Sequence, residues 1–127
     1  MLGIKELFTK ILEKLKVLDT VERKNVTLTS PAPVNYNAID VFAVKCGHVV
    51  RLHFYINTSS AVTAGTYIEI GVLPSDCAPP REISYNLVNM TQGNLVVLFV
   101  QSNGKIRIYV SSNAPIGLIR ASIPYLV

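Results

Sequence analysis

The chain has 127 residues, half of them hydrophobic and only 16% charged, with a formal net charge of +4. This length allows one domain with an appendage. The mild, evenly spread charge argues against a nucleic-acid binder, whose lysines and arginines cluster on one face. From Asn25 onward only ten side chains are charged, fewer than the surface of a small soluble monomer normally carries. The composition therefore predicts an oligomer, in which other subunits cover part of the surface.

An amphipathic helix is predicted at the N-terminus, within residues 1–24. Its apolar residues recur in alternating steps of three and four, the spacing of a coiled-coil seam. They are Met1, Ile4, Phe8, Ile11, Leu15 and Leu18. A helix this short is not stable alone, so its stripe must be covered by other copies of the chain or by its own β-domain. Binding to a membrane surface is the third alternative, which Glu6, Glu13 and Asp19 among the lysines disfavour.

Residues 25–127 are predicted to form a succession of short β-strands. Apolar and polar side chains alternate with a period of two, as in half-buried strands. The predicted runs are Val26–Thr29, Ile39–Val44, Val49–Ile56, Ile68–Val72, Ile83–Val88, Leu95–Val100, Ile106–Val110 and Ile119–Val127. Roughly seven or eight short strands with regular turn signals indicate a mainly β fold, an antiparallel β-sandwich of the jelly-roll type.

Turn sequences predict how neighbouring strands are joined. Cys46-Gly47 is expected to form a tight turn, and Asn57–Ser60 to open a polar loop that Gly65 closes. Asn103-Gly104 is the strongest short hairpin sequence in the chain, and both of its positions are expected to have positive φ. These turns make consecutive strands antiparallel.

The segment Leu95–Val100 is apolar at every position. A strand that is apolar on both faces is normally covered on both, whereas a two-layer sandwich covers only one. A subunit interface is therefore expected on the other face. With the helix this predicts a homotrimer, although the seam alone is compatible with two or three helices. The residues expected to mediate association are Ile4, Phe8, Ile11, Leu15, Leu18, Leu95, Val97 and Phe99.

Residue types that carry enzyme chemistry are scattered along the chain. The carboxylates stand singly, and Cys46 and His48 merely flank a turn glycine. No metal-ligand, nucleophile or phosphate-loop spacing occurs. His53 lies on the outward side of its strand, where it is expected to pair with Glu69 or Asp40. The sequence predicts a non-enzymatic protein without a cofactor or metal.

Two cysteines, Cys46 and Cys77, are too few for a disulfide framework. Buried free thiols are favoured over a single disulfide. The N-terminal segment does not have the pattern of a signal peptide, because lysine and glutamate interrupt its apolar run. No stretch approaches transmembrane length. We therefore expect a protein made in a cytoplasm and not inserted into a membrane.

Polar loops supply the candidate receptor-binding groups. Amide and hydroxyl groups hydrogen-bond to sugar hydroxyls, and aromatic rings pack against the apolar faces of sugars. Each loop taken alone is equally typical of any β-sandwich. The candidate residues are Asn57, Ser59, Tyr85, Asn86, Asn89 and Asn113.

Several motifs in the β-part resemble a known family. They are Leu73-Pro74-Ser75 running into a proline-containing loop, the stretch Asn103-Gly104-Lys105-Ile106, and a terminal strand ending at Tyr125. After a short helix, this pattern is similar to the head domains of trimeric fibres and receptor-binding proteins from tailed bacteriophages and prophages of Gram-positive gut bacteria. Those heads share the trimeric jelly-roll architecture of the C1q and tumour necrosis factor type.

Two departures from that family stand out. Its Leu-Pro stretch usually continues through Gly and Arg-Pro or Tyr-Arg-Pro, whereas here Asp76–Arg81 follows Ser75. Fibre proteins also carry a long shaft before the head, whereas only about three heptads precede it here. The chain is thus either an excised head or a minimal virion protein that attaches through its helix.

The resemblance implies a homotrimer in a phage particle, made in the bacterial host cytoplasm, that attaches to a cell-surface glycan or protein. The helix is then expected to contact other virion proteins. The alternative is a capsid decoration, head-fibre or tail component that binds no receptor. Host, receptor and position in the virion stay open.

Overall fold

The computed structural model describes residues 3–18, 21–88, 95–111 and 114–127, with side chains at all of these except 14–18, 114 and 115. A helix precedes a series of strands and one short 3-10 turn. They are α1 (Ile4–Leu18), β1 (Glu22–Asn25), β2 (Thr27–Leu28), β3 (Ala38–Cys46), β4 (Val49–Val62), β5 (Thr66–Val72), the 3-10 turn (Ser75–Cys77), β6 (Ile83–Val88), β7 (Leu95–Val100), β8 (Lys105–Val110) and β9 (Ala114–Leu126).

The described strands form two antiparallel sheets. One sheet has four strands in the order β1-β3-β4-β9, and the other has five in the order β2-β5-β8-β7-β6. Strands β6, β7 and β8 follow one another as hairpins and β5 lies beside β8, which is a Greek-key arrangement. The prediction of an antiparallel β-sandwich is confirmed. A jelly roll combines two such Greek keys. The prediction of a jelly roll is therefore more specific than the strand order of the described residues shows.

One hydrophobic core lies between the sheets and takes its residues from the inward sides of both. The alternation predicted for β3, β4 and β8 is confirmed. Their fully buried side chains are Ala43, Val50, Leu52, Phe54, Ile56, Ile106 and Ile108. Each large apolar side chain buried in this way stabilises the fold by about 1.5–3 kcal/mol relative to an exposed one.

Strand β4 is longer than the sequence predicts. The predicted polar loop at Asn57–Ser60 is wrong, because β4 continues to Val62 and pairs with β9, with a bulge after Thr58. Thr58 is buried, and its hydroxyl donates to the Asn35 carbonyl (2.6 Å) and accepts from the Ser60 N–H (3.1 Å). These bonds satisfy polar groups where the bulge interrupts the ladder.

Strand β5 also contains a bulge. Its pairing with β8 shifts register between Glu69 and Gly71. The period-two alternation of the sequence predicts Ile68, Ile70 and Val72 on the inner side of this strand. For Val72 this prediction is wrong, since Val72 is half-buried while Leu73 is 3% exposed. The extra residue of the bulge shifts the alternation of inward and outward side chains by one position. After Ile70, the next large side chain that points into the core is therefore Leu73.

The hairpin between β7 and β8 forms as predicted, but with a different turn. Gly104 has φ of +87°, whereas no described non-glycine residue has a positive φ, so the expectation for Asn103 is wrong. The Gly104 N–H donates to the Gln101 carbonyl, and the Gln101 N–H donates to the Lys105 carbonyl (both 2.9 Å). The loop therefore has three residues and ends on a left-handed glycine, the second commonest hairpin type.

The predicted tight turn between β3 and β4 is confirmed. Cys46 pairs with Val49, so Gly47 and His48 alone form the loop. Gly47 has φ of +60°, at the first central position, where type II′ hairpins require glycine.

The terminal strand begins earlier than predicted and closes one side of the core. β9 starts at Ala114 rather than at Ile119, and Ile116 is fully buried in consequence. The Tyr125 hydroxyl donates to the Cys77 carbonyl (2.7 Å). Burial raises the pKa values of the Tyr125 phenol and of the Cys77 thiol. Both cysteines are free.

Two buried tyrosine hydroxyls make a matched test of this packing. Tyr125→Phe is expected to lower the free energy of unfolding by about 1–2 kcal/mol, because the buried Cys77 carbonyl loses its donor. Tyr36→Phe is expected to be neutral or stabilising by about 0.5 kcal/mol, because the Tyr36 hydroxyl is buried with no hydrogen-bond partner among the described residues. Urea denaturation of both variants measures the difference, and equal losses would contradict the assignment.

Candidate functional site

The helix presents a broad apolar stripe that the other described residues leave uncovered. Leu7 and Leu12 widen the predicted seam on either side, giving an arc broader than a strict coiled-coil seam. The exposed stripe, called the helix stripe below, consists of Ile4, Leu7, Phe8, Ile11 and Leu12. The side chains of Leu15 and Leu18, and Met1 itself, lie outside the described residues. Partner helices stay a prediction.

A second apolar surface lies on the outer side of the five-stranded sheet. Register places Tyr67, Tyr109 and Val97 side by side across β5, β8 and β7. The Tyr67 ring centroid lies 4.9 Å from that of Tyr109 and 6.0 Å from that of Phe99. The surface, called the aromatic face below, consists of Tyr67, Val88, Leu95, Val97, Phe99 and Tyr109. It includes the three β7 residues expected to mediate association.

Charged side chains border the aromatic face on one side. Arg107 is paired with both Glu69 and Phe99 in the sheet register, and the Lys105 ammonium lies 3.9 Å from the Glu69 carboxylate. Glu69 thus lies on a different sheet from His53, and its predicted pairing with His53 is wrong. An apolar centre with a polar border is the usual composition of a protein–protein interface.

The outer side of the four-stranded sheet carries two rows of aromatic and charged side chains. In the first row, Phe42 and His53 are cross-strand partners whose rings stack with centroids 4.7 Å apart and an interplanar angle of 12°. The Arg23 guanidinium lies 3.9 Å from the Phe42 ring centroid. The stack of Arg23, Phe42 and His53 is held by cation–π and aromatic contacts, so His53 packs against a ring and not against a carboxylate.

The second row lies beside the first, shares β3 and β4 with it, and ends on β9. Asp40, Tyr55 and Arg120 are aligned by register, with Tyr55 between the other two. The Arg120 guanidinium lies 5.1 Å from the Tyr55 ring centroid. Arg23 connects the rows through a contact of 3.9 Å to Asp40, whose side chain is 64% exposed.

A shallow depression of about 410 Å³, called the furrow below, separates the two rows. Phe42 and His53 line one side, and Asp40, Tyr55 and Arg120 line the other. The cross-strand partners Phe54 and Ala121 form its floor. The volume lies within the range of small-molecule sites, about 300–1,000 Å³.

The predicted receptor-binding residues do not gather at one place. Asn57 lies on the outer side of the four-stranded sheet and Ser59 is exposed at the bulge of β4. Asn86 lies on the opposite outer side, beside Val97. The Tyr85 hydroxyl donates to the Pro124 carbonyl (3.3 Å). Asn89 and Asn113 fall outside the described residues.

The furrow residues themselves were not predicted as a site. The alternation of apolar and polar residues in the sequence of β3, β4 and β9 predicts that Asp40, His53 and Arg120 lie on outward sides. The register between neighbouring strands brings these residues together. Register can be predicted from the sequence only where both paired strands and the turns that bound them are recognised. The aromatic and charged outward positions of these strands were the available signal.

The remaining charged cluster has a structural role. Asp76 of the 3-10 turn lies 3.0 Å from the Lys24 ammonium and 3.6 Å from that of Lys45. Its hydrogen bond with Lys24 holds the pKa of the Asp76 carboxyl below its usual range. Hydrogen bonds to Glu22 and Asp76 raise the pKa of Lys24. These contacts join β1 and β3 to the turn.

The described ranges contain no group of three or more His, Cys, Asp and Glu side chains arranged to hold a metal ion. None of their helices is long and apolar enough to cross a membrane. Comparison with protein-family models and with curated proteins finds no match for this chain.

Proposed function

We propose that this protein is a homotrimeric attachment protein of a bacteriophage particle, which associates through its helix and one sheet face and binds a host cell-surface receptor with the other. The observation that carries the proposal is the division of surfaces in one chain. Within the described part of the chain two apolar surfaces are uncovered, and a third surface, on the other sheet, combines aromatic rings with charges. The phage setting rests on the resemblance of the β-part and helix to fibre heads.

The aromatic face supports self-association. Tyr67, Val88 and Leu95 are respectively 57%, 60% and 44% exposed, and Val97, Phe99 and Tyr109 adjoin them half-buried. Contiguous apolar patches of this kind on a small domain mark interaction surfaces. Burial of apolar area contributes about 25 cal/mol per Å², and an identical surface on a second copy is available whenever the protein is concentrated.

The helix stripe supports the same assembly by another contact. A helix of fifteen residues is marginal alone, and the stripe has no buried Asn that would favour a dimer. Three parallel helices about one axis would bury the stripe and hold three β-domains together. The two contacts together give the trimer more stability than either supplies.

The proposed trimer leaves the furrow free. The aromatic face and the furrow lie on opposite outer sides of the sandwich, so burying the first turns the second toward solvent. Three furrows on one particle-bound trimer would bind a repetitive surface polymer with an avidity well above that of one site. Weak individual sites are sufficient for attachment under these conditions.

The helix stripe also favours a second function, a structural virion component. Its width exceeds a coiled-coil seam, so the stripe has apolar area for a capsid or tail protein in addition to partner helices. Binding assays separate the two functions. Fluorescently labelled protein that sediments with host cells or isolated cell wall supports attachment, whereas protein that binds only purified capsids or tails overturns it.

An Ile11→Asp variant tests the helix contact. We expect it to weaken association by at least about tenfold, because assembly then buries an unpaired carboxylate. Thr9→Asp is the matched control, since Thr9 is exposed on the helix away from the stripe and gains the same charge. Sedimentation equilibrium measures both. A trimer of unchanged affinity in Ile11→Asp would contradict a role of the helix in assembly.

A further inference from the structure

We propose that the furrow is a binding site for a sugar ring that carries a carboxylate, as in the uronic-acid units of acidic polysaccharides. The inference deepens the proposed function and rests on it for the biological source of the ligand. The recognition itself is argued from the two rows of side chains and is tested on soluble sugars.

The aromatic side chains supply the surface on which a sugar ring packs. Tyr55 lines one side of the furrow, and the stacked rings of Phe42 and His53 line the other. The C–H groups of a pyranose form apolar patches that pack against aromatic rings, while its hydroxyls point outward in the ring plane. The Phe42 ring is already contacted by the Arg23 guanidinium and by His53, so the half-buried Tyr55 and His53 rings supply the apolar surface that is available to a ligand.

Asp40 supplies acceptors for sugar hydroxyls. Its contact with the Arg23 guanidinium is 3.9 Å long, which exceeds hydrogen-bonding distance. The carboxylate therefore keeps its acceptor positions for a ligand. A charged acceptor binds hydroxyl donors more strongly than a neutral one does.

Arg120 supplies the donor for an anionic group. It stacks beside Tyr55 and forms no ion pair with the described residues. A guanidinium presents two parallel N–H donors that match the two oxygens of a carboxylate. Stacking on the ring orients this group before a ligand arrives, which lowers the entropy lost on binding.

The register of the sheet sets the separation of these two groups. Asp40, Tyr55 and Arg120 occupy adjacent strands, so the backbones of Asp40 and Arg120 lie about 10 Å apart. Both side chains line the furrow on the same side as Tyr55, which lies between them in the register. A single pyranose with a carboxylate at one end and hydroxyls at the other has the complementary order of groups.

The charge around the furrow selects for an acidic ligand. The lining charges of Asp40 and Arg120 balance, and Arg23, which lies 3.9 Å from Asp40 outside the lining, makes the surroundings of the furrow positive. A neutral sugar would leave the Arg120 guanidinium without a charged partner. A phosphate monoester has the negative charge that Arg120 would bind, but it has no apolar ring face to pack on Tyr55. It is used below as a comparison ligand.

The test uses the 127-residue chain, labelled with ¹⁵N and titrated by NMR with methyl glucuronide, methyl glucoside and glycerol 3-phosphate. We expect the glucuronide to give saturable shifts at Tyr55, His53 and Arg120, with a dissociation constant in the millimolar range typical of weak sites. The glucoside and the phosphate are expected to bind at least about tenfold more weakly, because each lacks one half of the recognition.

Two arginine variants complete the test. Arg120→Ala is expected to weaken glucuronide binding by about tenfold or more. Arg51→Ala is the matched control, because Arg51 is exposed on the same side of β4 and does not line the furrow, and it should bind as the unmodified protein does. Unchanged affinity in Arg120→Ala would overturn the proposal. So would a preference for the glucoside or the phosphate, or the absence of shifts at about 50 mM sugar.

The ligand assigned to the furrow and the proposed function can be refuted independently. A monomeric protein that binds the glucuronide retains the furrow assignment and refutes the trimer. A trimer that sediments with host cells without binding the glucuronide retains attachment and refutes the ligand assigned to the furrow.

Discussion

A Phe99→Glu substitution is expected to convert the proposed trimer into monomers that remain folded. Phe99 lies in the aromatic face beside its charged border, 6.0 Å from the Tyr67 ring centroid. Assembly would enclose the new carboxylate in an apolar interface, at a cost of several kcal/mol. We therefore expect the dissociation constant of the trimer to rise by about 1,000-fold. Sedimentation velocity measures the effect.

The monomer should keep its fold because the substitution introduces a favourable neighbour. Arg107 is the cross-strand partner of residue 99, and opposite charges in such positions stabilise a sheet by about 0.2–1 kcal/mol. Val49→Glu is the matched control, since Val49 is 47% exposed on the other sheet. A Phe99→Glu protein that stays trimeric, or that loses its β circular dichroism together with the trimer, would contradict an interface at this face.

A Gly104→Ala substitution is expected to lower the free energy of unfolding by about 3–4 kcal/mol. The φ of +87° costs an L-residue about 1–2 kcal/mol. In addition, a Cβ at this position would lie 2.8 Å from the Leu73 carbonyl oxygen. Relief of that contact would pull the hairpin away from Leu73, whose N–H donates to the Gly104 carbonyl (2.8 Å). Urea denaturation measures the loss.

Gly47→Ala separates the two contributions. Gly47 also has a positive φ, of +60°, but a Cβ there would meet nothing within 4 Å. Only the backbone strain applies, and we expect a loss of about 1–2 kcal/mol. Equal losses in the two variants would show that the close approach of Gly104 to Leu73 contributes nothing to stability.

The sequence predicts the inward sides of the strands well because burial acts on every second residue. The alternation at Val50–Ile56 and at Ile106–Val110 is a local signal, and it survives in the structure unchanged. The bulges of β4 and β5 are different. Thr58 remains in its strand through a hydroxyl bond to Asn35, twenty-three residues earlier, and nothing near Thr58 in the sequence indicates that partner.

The candidate site is less predictable than the fold for a related reason. Outward residues carry no burial signal, and their function depends on which strand lies next to which. Asp40 and Arg120 are eighty residues apart in the sequence and meet only because β9 returns to lie against β4. A surface site of this kind can be identified only when the register of the strands is known.

The edges of the two sheets limit how copies of this protein can join. β1 and β2 are edge strands of four and two residues, and β1 is rich in charge. β9, a long edge strand, contains Pro115 and Pro124, which lack the N–H that a docking strand would need. Strand addition at these three edges is therefore disfavoured, which leaves the uncharged β6, the remaining edge strand of the described sheets, as the place where a strand of another copy could pair.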